Sequence, residues 1–415
     1  MKVDPSAVRP FEHVLAINAG SSSIKFAAFE KKAEWVRRLH GLVDRIGGPG
    51  TSLQYRDAPG IDARTESWGD LDHASAAGRL VDWLAQRTEL AAVQAIGHRI
   101  VHGGPRHMDP ARVSGALLDE LRQLRAYAPD HLPIEIGLIE RFGERLPDCP
   151  QAVCFDTGFH RDLPRVARVL PLPRALQVEG VQRYGFHGLS YAFLMQELAG
   201  VAGTPAAQAR VILAHLGNGA SLAAVRGGRS VDTSMAFTPA SGIPMSTRSG
   251  DVDPGLVRYL AQTHELGPDA FHHMVNHASG LLGLSETSSD VRDLLQREAS
   301  DERAREALDV FCYHVRKCIG GFAAALGGVD TLVFAGGIGE NAWQIRSRIC
   351  AELRFLGIEL DANRNAAGMS VISPEGSAVA VRVIRTDEEL MIARAVSELL
   401  GGAYPTAAPD QGLRA

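Results

Sequence analysis

Three glycine-rich turns carry the clearest chemistry in the sequence. The first, Asn18-Ala-Gly-Ser-Ser-Ser-Ile-Lys25, offers consecutive backbone N–H groups, three hydroxyls and one ammonium. Gly20 lets the backbone approach an anion closely, and Ser21, Ser23 and Lys25 can bond phosphate oxygens without the spacing of a P-loop. Basic residues are chiefly arginine, so a lysine inside a Gly/Ser turn stands out. The second turn, His215-Leu216-Gly217-Asn218-Gly219, follows the same logic. The third, Phe334-Ala-Gly-Gly337-Ile338-Gly339-Glu340-Asn341, follows a strand-like run and opens a helix, so its glycines permit close approach of a nucleotide to a helix N-terminus. Any one of them could be an ordinary polar turn; their number points to a polyphosphate site.

The elements that must position these turns repeat. Val14-Leu-Ala-Ile-Asn-Ala-Gly-Ser-Ser-Ser-Ile-Lys-Phe-Ala-Ala-Phe29 and Val211-Ile-Leu-Ala-His-Leu-Gly-Asn-Gly-Ala-Ser-Leu-Ala-Ala-Val225 are each strand, glycine-rich turn, strand, 197 positions apart. This echo predicts a duplicated domain. Further strands are expected at 95–101, 151–155 and 331–335, with helices between them. From Glu302 to Leu326, Leu308, Phe311, Val315, Cys318 and Phe322 recur every three to four residues and mark one buried helix face, ended by Gly327-Gly328. Beyond Ala403 the tail is rich in Ala, Pro and Gly and reads as disordered.

At 415 residues the chain exceeds the size at which one core stops growing, so two domains are expected. Apolar residues make up 45% and charged residues 22%, which is ordinary globular composition. A net charge of −5 gives no general attraction to nucleic acid or anionic lipid. Five cysteines form no CxxC pair and read as reduced thiols rather than metal ligands. No apolar run approaches the ~20 residues that span a bilayer, and a cytoplasmic location is expected.

The remaining motifs pick out one family. They are Gly97-His-Arg-Ile-Val-His-Gly-Gly104, Cys154-Phe-Asp-Thr-Gly-Phe-His160, Tyr184-Gly-Phe-His-Gly188, Met245-Ser-Thr-Arg-Ser-Gly-Asp-Val-Asp-Pro254 and Thr386-Asp-Glu-Glu-Leu-Met-Ile-Ala-Arg394. With the three turns, in this order, the chain resembles the acetate kinase family, a branch of the actin, Hsp70 and sugar-kinase superfamily, from about Val14 to about Leu400. The resemblance implies an α/β fold of two duplicated actin-like (ribonuclease H-like) domains with an active-site cleft between them. Expected limits are 1–155 completed by 391–415, and 156–390.

The same resemblance implies transfer of the ATP γ-phosphoryl group to a short carboxylic acid, most simply acetate. A carboxylate is already a nucleophile, so such catalysis reduces to positioning and charge neutralisation. By resemblance, Arg99 and Arg248 serve the carboxylate and the transferring phosphoryl group, and His187 stabilises that group in flight. Asp156 would orient Arg248 or the metal shell. Val101, Phe186 and Pro239 would line the acyl group. Asn18 and Glu388 match ligands for Mg²⁺, or Mn²⁺ in its place. His215, Leu216, Gly217, Asn218, Gly219, Asp290, Val291, Arg292, Gly337, Ile338, Gly339, Glu340 and Asn341 match nucleotide contacts. A homodimer is implied too, with no nucleic-acid or membrane partner.

Three motifs depart from the family pattern. Where Pro-Leu-His-Asn-Pro-Ala-Asn is usual, this chain has Pro129-Asp-His-Leu-Pro-Ile-Glu135, so an apolar acyl-pocket residue becomes Asp130, and Leu132 or Ile134 is left to supply the wall. The segments Thr238–Arg248 and Ser285–Ser288 are altered as well. A propionate, butyrate or more polar acid kinase, a sugar kinase of the same superfamily and a non-catalytic nucleotide-binding regulator are the alternatives. His272, His273 and His277 read as surface or packing residues, and Arg122, Arg125 and the run 297–305 as solvated faces.

Overall fold

A computed structural model describes residues 11–20, 22–57, 62–87 and 92–400. Ser21 and the tail beyond Ala403 therefore lie outside the described residues. The chain forms two compact units, and among the described residues the first comprises 11–158 and 388–400, the second 159–387.

In the first unit the strands are β1 (His13–Ala19), β2 (Ile24–Lys31), β3 (Trp35–Asp44), β4 (Thr51–Arg56), β5 (Arg64–Gly69), β6 (Ala95–Ile100), β7 (Ala111–Arg112) and β8 (Gln151–Phe155). They make one sheet in the order β5-β4-β3-β2-β1-β6-β8-β7. The second unit holds β9 (Arg210–Leu216), β10 (Ala220–Arg226), β11 (Arg229–Thr233), β12 (Thr331–Ala335) and β13 (Ala380–Val383), in the order β11-β10-β9-β12-β13.

The expected duplication is visible in topology. In both sheets three antiparallel strands are followed by two parallel ones, β3-β2-β1-β6-β8 against β11-β10-β9-β12-β13. The echo extends to an irregularity: the β2–β3 register shifts between Ala28 and Phe29, and the β10–β11 register between Ala224 and Val225. The second hairpin turn is one residue shorter, Leu216 facing Ala220 where Ala19 faces Ile24, so the two bulges occupy corresponding positions. A bulge bends its strand and is kept where that bend is needed.

Alternation explains how each sheet is sandwiched. Ile24, Phe26 and Ala28 of β2 point into a core with Leu39, Val43 and Leu53, covered by the helix His73–Ala85 through Leu80, Val81 and Leu84. The opposite face is covered by the helix Glu388–Leu400, and Gly97 on β6 admits it: a Cβ there would stand 2.4 Å from Ile392 Cγ2. Both expected limits of the first domain therefore move outward, to Gly158 and Glu388. Asp156 continues the β6–β8 ladder by donating its N–H to the Ile100 carbonyl at 3.0 Å, and Glu388 begins the covering helix.

In the second unit the helix Glu302–Leu326 runs as the spacing predicts and stops at Gly327, whose φ of 72° favours glycine. Its buried face passes through Cys312 and Ile319, with Cys318 only half-buried at its margin.

Candidate functional site

In the first unit the site grows from the ends of β1, β6 and β8. Arg99, penultimate on β6, donates from Nε (3.0 Å) and Nη2 (2.5 Å) to Asp156 Oδ2, and from Nη1 to the Ala19 carbonyl at 3.0 Å. Burial opposes the charged guanidinium, but the carboxylates of Asp156, Glu135 and Glu388 outweigh it and hold its pKa above the ordinary value. Within this unit Asp156 orients Arg99, a partner the sequence reading did not assign to it.

Val101 is buried just beyond β6, and its N–H is taken by the carboxyl of Glu135 at 3.1 and 3.2 Å. Sequence reasoning missed Glu135, although it closes the altered 129–135 motif. Leu132 is fully buried, and Ile134 packs against the sheet core. Asp130 is half-buried.

Asn18, near the end of β1, donates from Nδ2 to Glu388 Oε2 at 2.8 Å and to Glu389 Oε1 at 3.0 Å. The two residues expected to hold a metal are thus adjacent. Hard oxygen donors in so small a number fit Mg²⁺, which keeps several waters and takes only one or two protein groups. No group of three His, Cys, Asp or Glu that could hold a metal occurs among the described residues. Of the first turn, Ser23 is half-buried and accepts the Gly20 N–H at 2.7 Å, while Lys25 is exposed.

In the second unit the turn Gly217–Gly219 is ringed by predicted residues. A Cβ built on Gly219 would stand 3.3 Å from His187 Nε2 and 3.6 Å from Arg248 Nη1, and one on Gly217 would stand 3.7 Å from His215 Nε2 and 3.9 Å from Gly337 N. Two imidazoles, a guanidinium and backbone N–H groups therefore converge on a single glycine turn. The helix Gly336–Asn341 begins against it, and Gly336, at φ 75°, leaves no space for a side chain because a Cβ would come 2.7 Å from the Leu216 carbonyl.

A second layer, unseen in the sequence, fixes these groups. Ser221 Oγ meets His187 Nδ1 at 2.8 Å and also bonds Tyr191. Ser190 Oγ joins His215 Nδ1 to Thr386 Oγ1, both at 2.8 Å. Glu340 Oε1 accepts the N–H groups of Gly336 (3.0 Å) and Thr386 (3.1 Å), so this residue ties the loop together. Arg346, 1% exposed, donates to the carbonyls of Gly339 and Glu340 and to Asn365, clamping the same loop from behind. Thr386 opens the 386–394 motif, whereas Arg346 and Asn365 carry no local signal.

Arg248 Nη1 donates to the carbonyl of Pro239 at 3.2 Å. Phe186 is buried, and its carbonyl accepts from His160 Nε2 at 3.1 Å. Asn341 Nδ2 donates to the Gly337 carbonyl at 2.8 Å, and the Asn218 carbonyl accepts from Ser246 N at 3.3 Å. Leu216 is buried and Ile338 half-buried. Asp290, Val291 and Arg292 serve their own helix first: Asp290 caps it through the Arg292 N–H at 2.8 Å and pairs with the Arg292 guanidinium, while the Val291 side chain is in the core.

Residues 13–394 match the model of the acetokinase family. A propionate kinase of Citrobacter rodentium is 40% identical over 404 residues, covering 95% of this chain and 98% of that protein. An acetate kinase of Methylocella silvestris is 42% identical, covering 93% and 98%. Among solved structures, a propionate kinase of Francisella tularensis superposes with a TM-score of 0.86 at 33% identity, covering 92% and 98%. An acetate kinase of Porphyromonas gingivalis gives 0.83 at 34%, covering 94% and 100%.

Proposed function

The chain belongs to the acetokinase family, with that family's two duplicated actin-like α/β domains, and from this premise we propose that it transfers the γ-phosphoryl group of ATP directly to a short-chain carboxylate. The products are ADP and an acyl phosphate, and the reaction is reversible. The observation that carries the reading is the convergence of His187 Nε2 and Arg248 Nη1 on Gly219.

Each step is a matter of holding charge. Arg99, aligned by Asp156, binds the acid's carboxylate, and a guanidinium's planar fork of donors suits those two oxygens. No general base is needed, since the attacking oxygen is already anionic. His187 and Arg248 donate to the phosphoryl oxygens as they leave the nucleotide, an interaction strongest in the transition state. His215, the glycines at 217, 219, 337 and 339, Asn218 and Asn341 hold the nucleotide. Asn18 and Glu388 would hold Mg²⁺, or Mn²⁺ in its place; when bound, the ion neutralises charge on the phosphate oxygens. Val101, Phe186 and Pro239 would be further substrate contacts.

Net charge of −5 argues against a nucleic-acid partner. No helix of the described residues is long and apolar enough to cross a membrane. We place the enzyme in the cytoplasm as a homodimer. The helices Gly255–Thr263 and Pro268–His277 bury none of their residues, and Leu256, Val257 and Tyr259 are exposed, which supports a self-association surface there.

The decisive assay is hydroxamate formation with ATP, Mg²⁺ and a panel of C1 to C5 acids. Trapping with acetate or propionate is expected. Absence of hydroxamate with every acid, with phosphorylation of a sugar instead, would move the chain to the sugar-kinase branch.

A further inference from the structure

Arg99 faces two carboxyl groups, and they are not equivalent. Asp156 takes two of its N–H groups on one oxygen, whereas Glu135 stands 3.9 Å from Arg99 Nη1 and accepts the Val101 N–H. Both carboxyl side chains are 1% exposed. When a substrate carboxylate docks on Arg99, three carboxyl groups share one largely buried guanidinium. Buried like charges so close cannot all ionise cheaply, so one must hold a proton.

We propose that Glu135 is a positioning residue that couples acid binding at Arg99 to a proton: the acid binds the form in which Glu135 is protonated and is repelled by the form in which it is ionised. The proposal rests on the reading that Arg99 holds the substrate carboxylate. The proton comes from solvent and returns there when the acid leaves. Burial is the largest influence on Glu135 and pushes its pKa up to about 8; Arg99 and the Val101 N–H pull it down, and Asp156 pushes it up.

Glu135 is surrounded by charged groups from several elements. Arg99 comes from β6 and Asp156 from the end of β8; Asp130 and His131 precede Glu135's own helix, Leu132–Arg145. Among the helical elements packed on that helix, Gly115–Gln123 and His73–Ala85 present their charges farther along it, Arg122 to Glu140 and Asp82 to Arg145, the short turn Leu124–Tyr127 carries the exposed Arg125, and His98 of β6 packs on Phe142. Glu388 acts on Arg99 from the last helix.

The test is the KM for acetate and for propionate between pH 6 and 9 at saturating ATP, a range over which both acids are fully ionised. In the wild type the acid KM should rise about tenfold between pH 7 and 9, because each unit above the pKa removes a further tenfold of the protonated form. The KM for ATP should not follow it. Glu135→Gln keeps an acceptor for Val101 and should flatten the acid profile. A flat wild-type profile, or a Glu135→Gln enzyme with the wild-type rise, overturns the coupling. Proton uptake by the wild type on mixing with acetate at pH 8 in weak buffer, read with an indicator dye, needs no variant; no uptake at saturation also overturns it. Arg99→Ala separates the two ideas. If it raises the acid KM while Glu135→Gln leaves the profile intact, only the coupling fails; if it leaves the acid KM unchanged, the reading of Arg99 fails and the coupling with it.

Discussion

His187 and His215 stack face to face, with ring centroids 4.3 Å apart and planes inclined by 26°. Each is held by a hydroxyl on Nδ1, Ser221 for His187 and Ser190 for His215, so both Nε2 atoms are presented to the Gly217–Gly219 turn. The duplication explains part of this. His215 occupies in β9 the place of Asn18 in β1, and Ser221 opposite it occupies the place of Lys25 opposite Asn18. The repeated strand–turn–strand thus carries a proposed metal ligand in one copy and one imidazole of the stacked pair in the other.

Gly219→Ala tests the turn directly. Its backbone is not in the left-handed region, so alanine fits the chain, but the new methyl would stand 3.3 Å from His187 Nε2 and 3.6 Å from Arg248 Nη1. The expected result is a thermal midpoint near wild type with kcat lowered a hundredfold or more, about 3 kcal/mol of lost transition-state stabilisation. A variant with near-normal kcat would remove this turn from the phosphoryl path.

Asp156→Asn keeps the shape of the Arg99 partner and removes its charge. Arg99 then loses its closest ionic partner in a buried setting, so both stability and function should suffer. Denaturant titration should report a loss on the order of 3 kcal/mol, and the acid KM should rise more than the ATP KM. Equal changes in the two KM values would argue that Asp156 does not act through Arg99.

How far the sequence could be read follows from how local each signal is. The turns at 18–25, 215–219 and 334–341 and the helix Glu302–Leu326 announce themselves because glycine freedom and a 3.6-residue period are properties of neighbouring residues. Glu135, Ser221 and Arg346 do not. Their roles arise when separate strands and helices bring them under Arg99, His187 and the 336–341 loop, and nothing near them in sequence encodes that approach. Asp130 stands out in its motif as a departure, whereas what distinguishes Glu135, five residues on, is burial beside Arg99, and burial is a tertiary property.

Glu388→Ala should change the metal requirement. Asn18 Nδ2 meets Glu388 Oε2 at 2.8 Å, so removing the carboxylate takes away one of the two proposed oxygen donors and leaves Glu389 on Asn18. Activity titrated with Mg²⁺ at fixed ATP should need roughly tenfold more total metal for half-maximal rate, a shift of about 1.4 kcal/mol. An unchanged titration would take Glu388 out of the metal shell.

The last prediction concerns stability against acid. His98 and His160 are fully buried, and burial lowers both pKa values from 6.5 to about 4. His160 has both ring nitrogens engaged, Nε2 donating to the Phe186 carbonyl and Nδ1 meeting Ser230 Oγ at 2.8 Å, and burial disfavours its charged form. Unfolding therefore takes up a proton at each histidine between pH 4 and 6.5. Glu135 works in the opposite sense: its pKa is raised from 4.5 to about 8, so unfolding releases a proton between those values. Between about pH 4.5 and 6.5 these three groups leave a net uptake of one proton, and their contribution to stability falls by about 1.4 kcal/mol for each unit of acidification. From about 6.5 to 8 only Glu135 remains, and its contribution falls as pH rises. The urea midpoint should consequently peak near pH 6.5. His160→Gln should lessen the acid-side slope and leave the alkaline side as it was, whereas an identical acid-side slope in the variant would show that His160 is not titrating in that window.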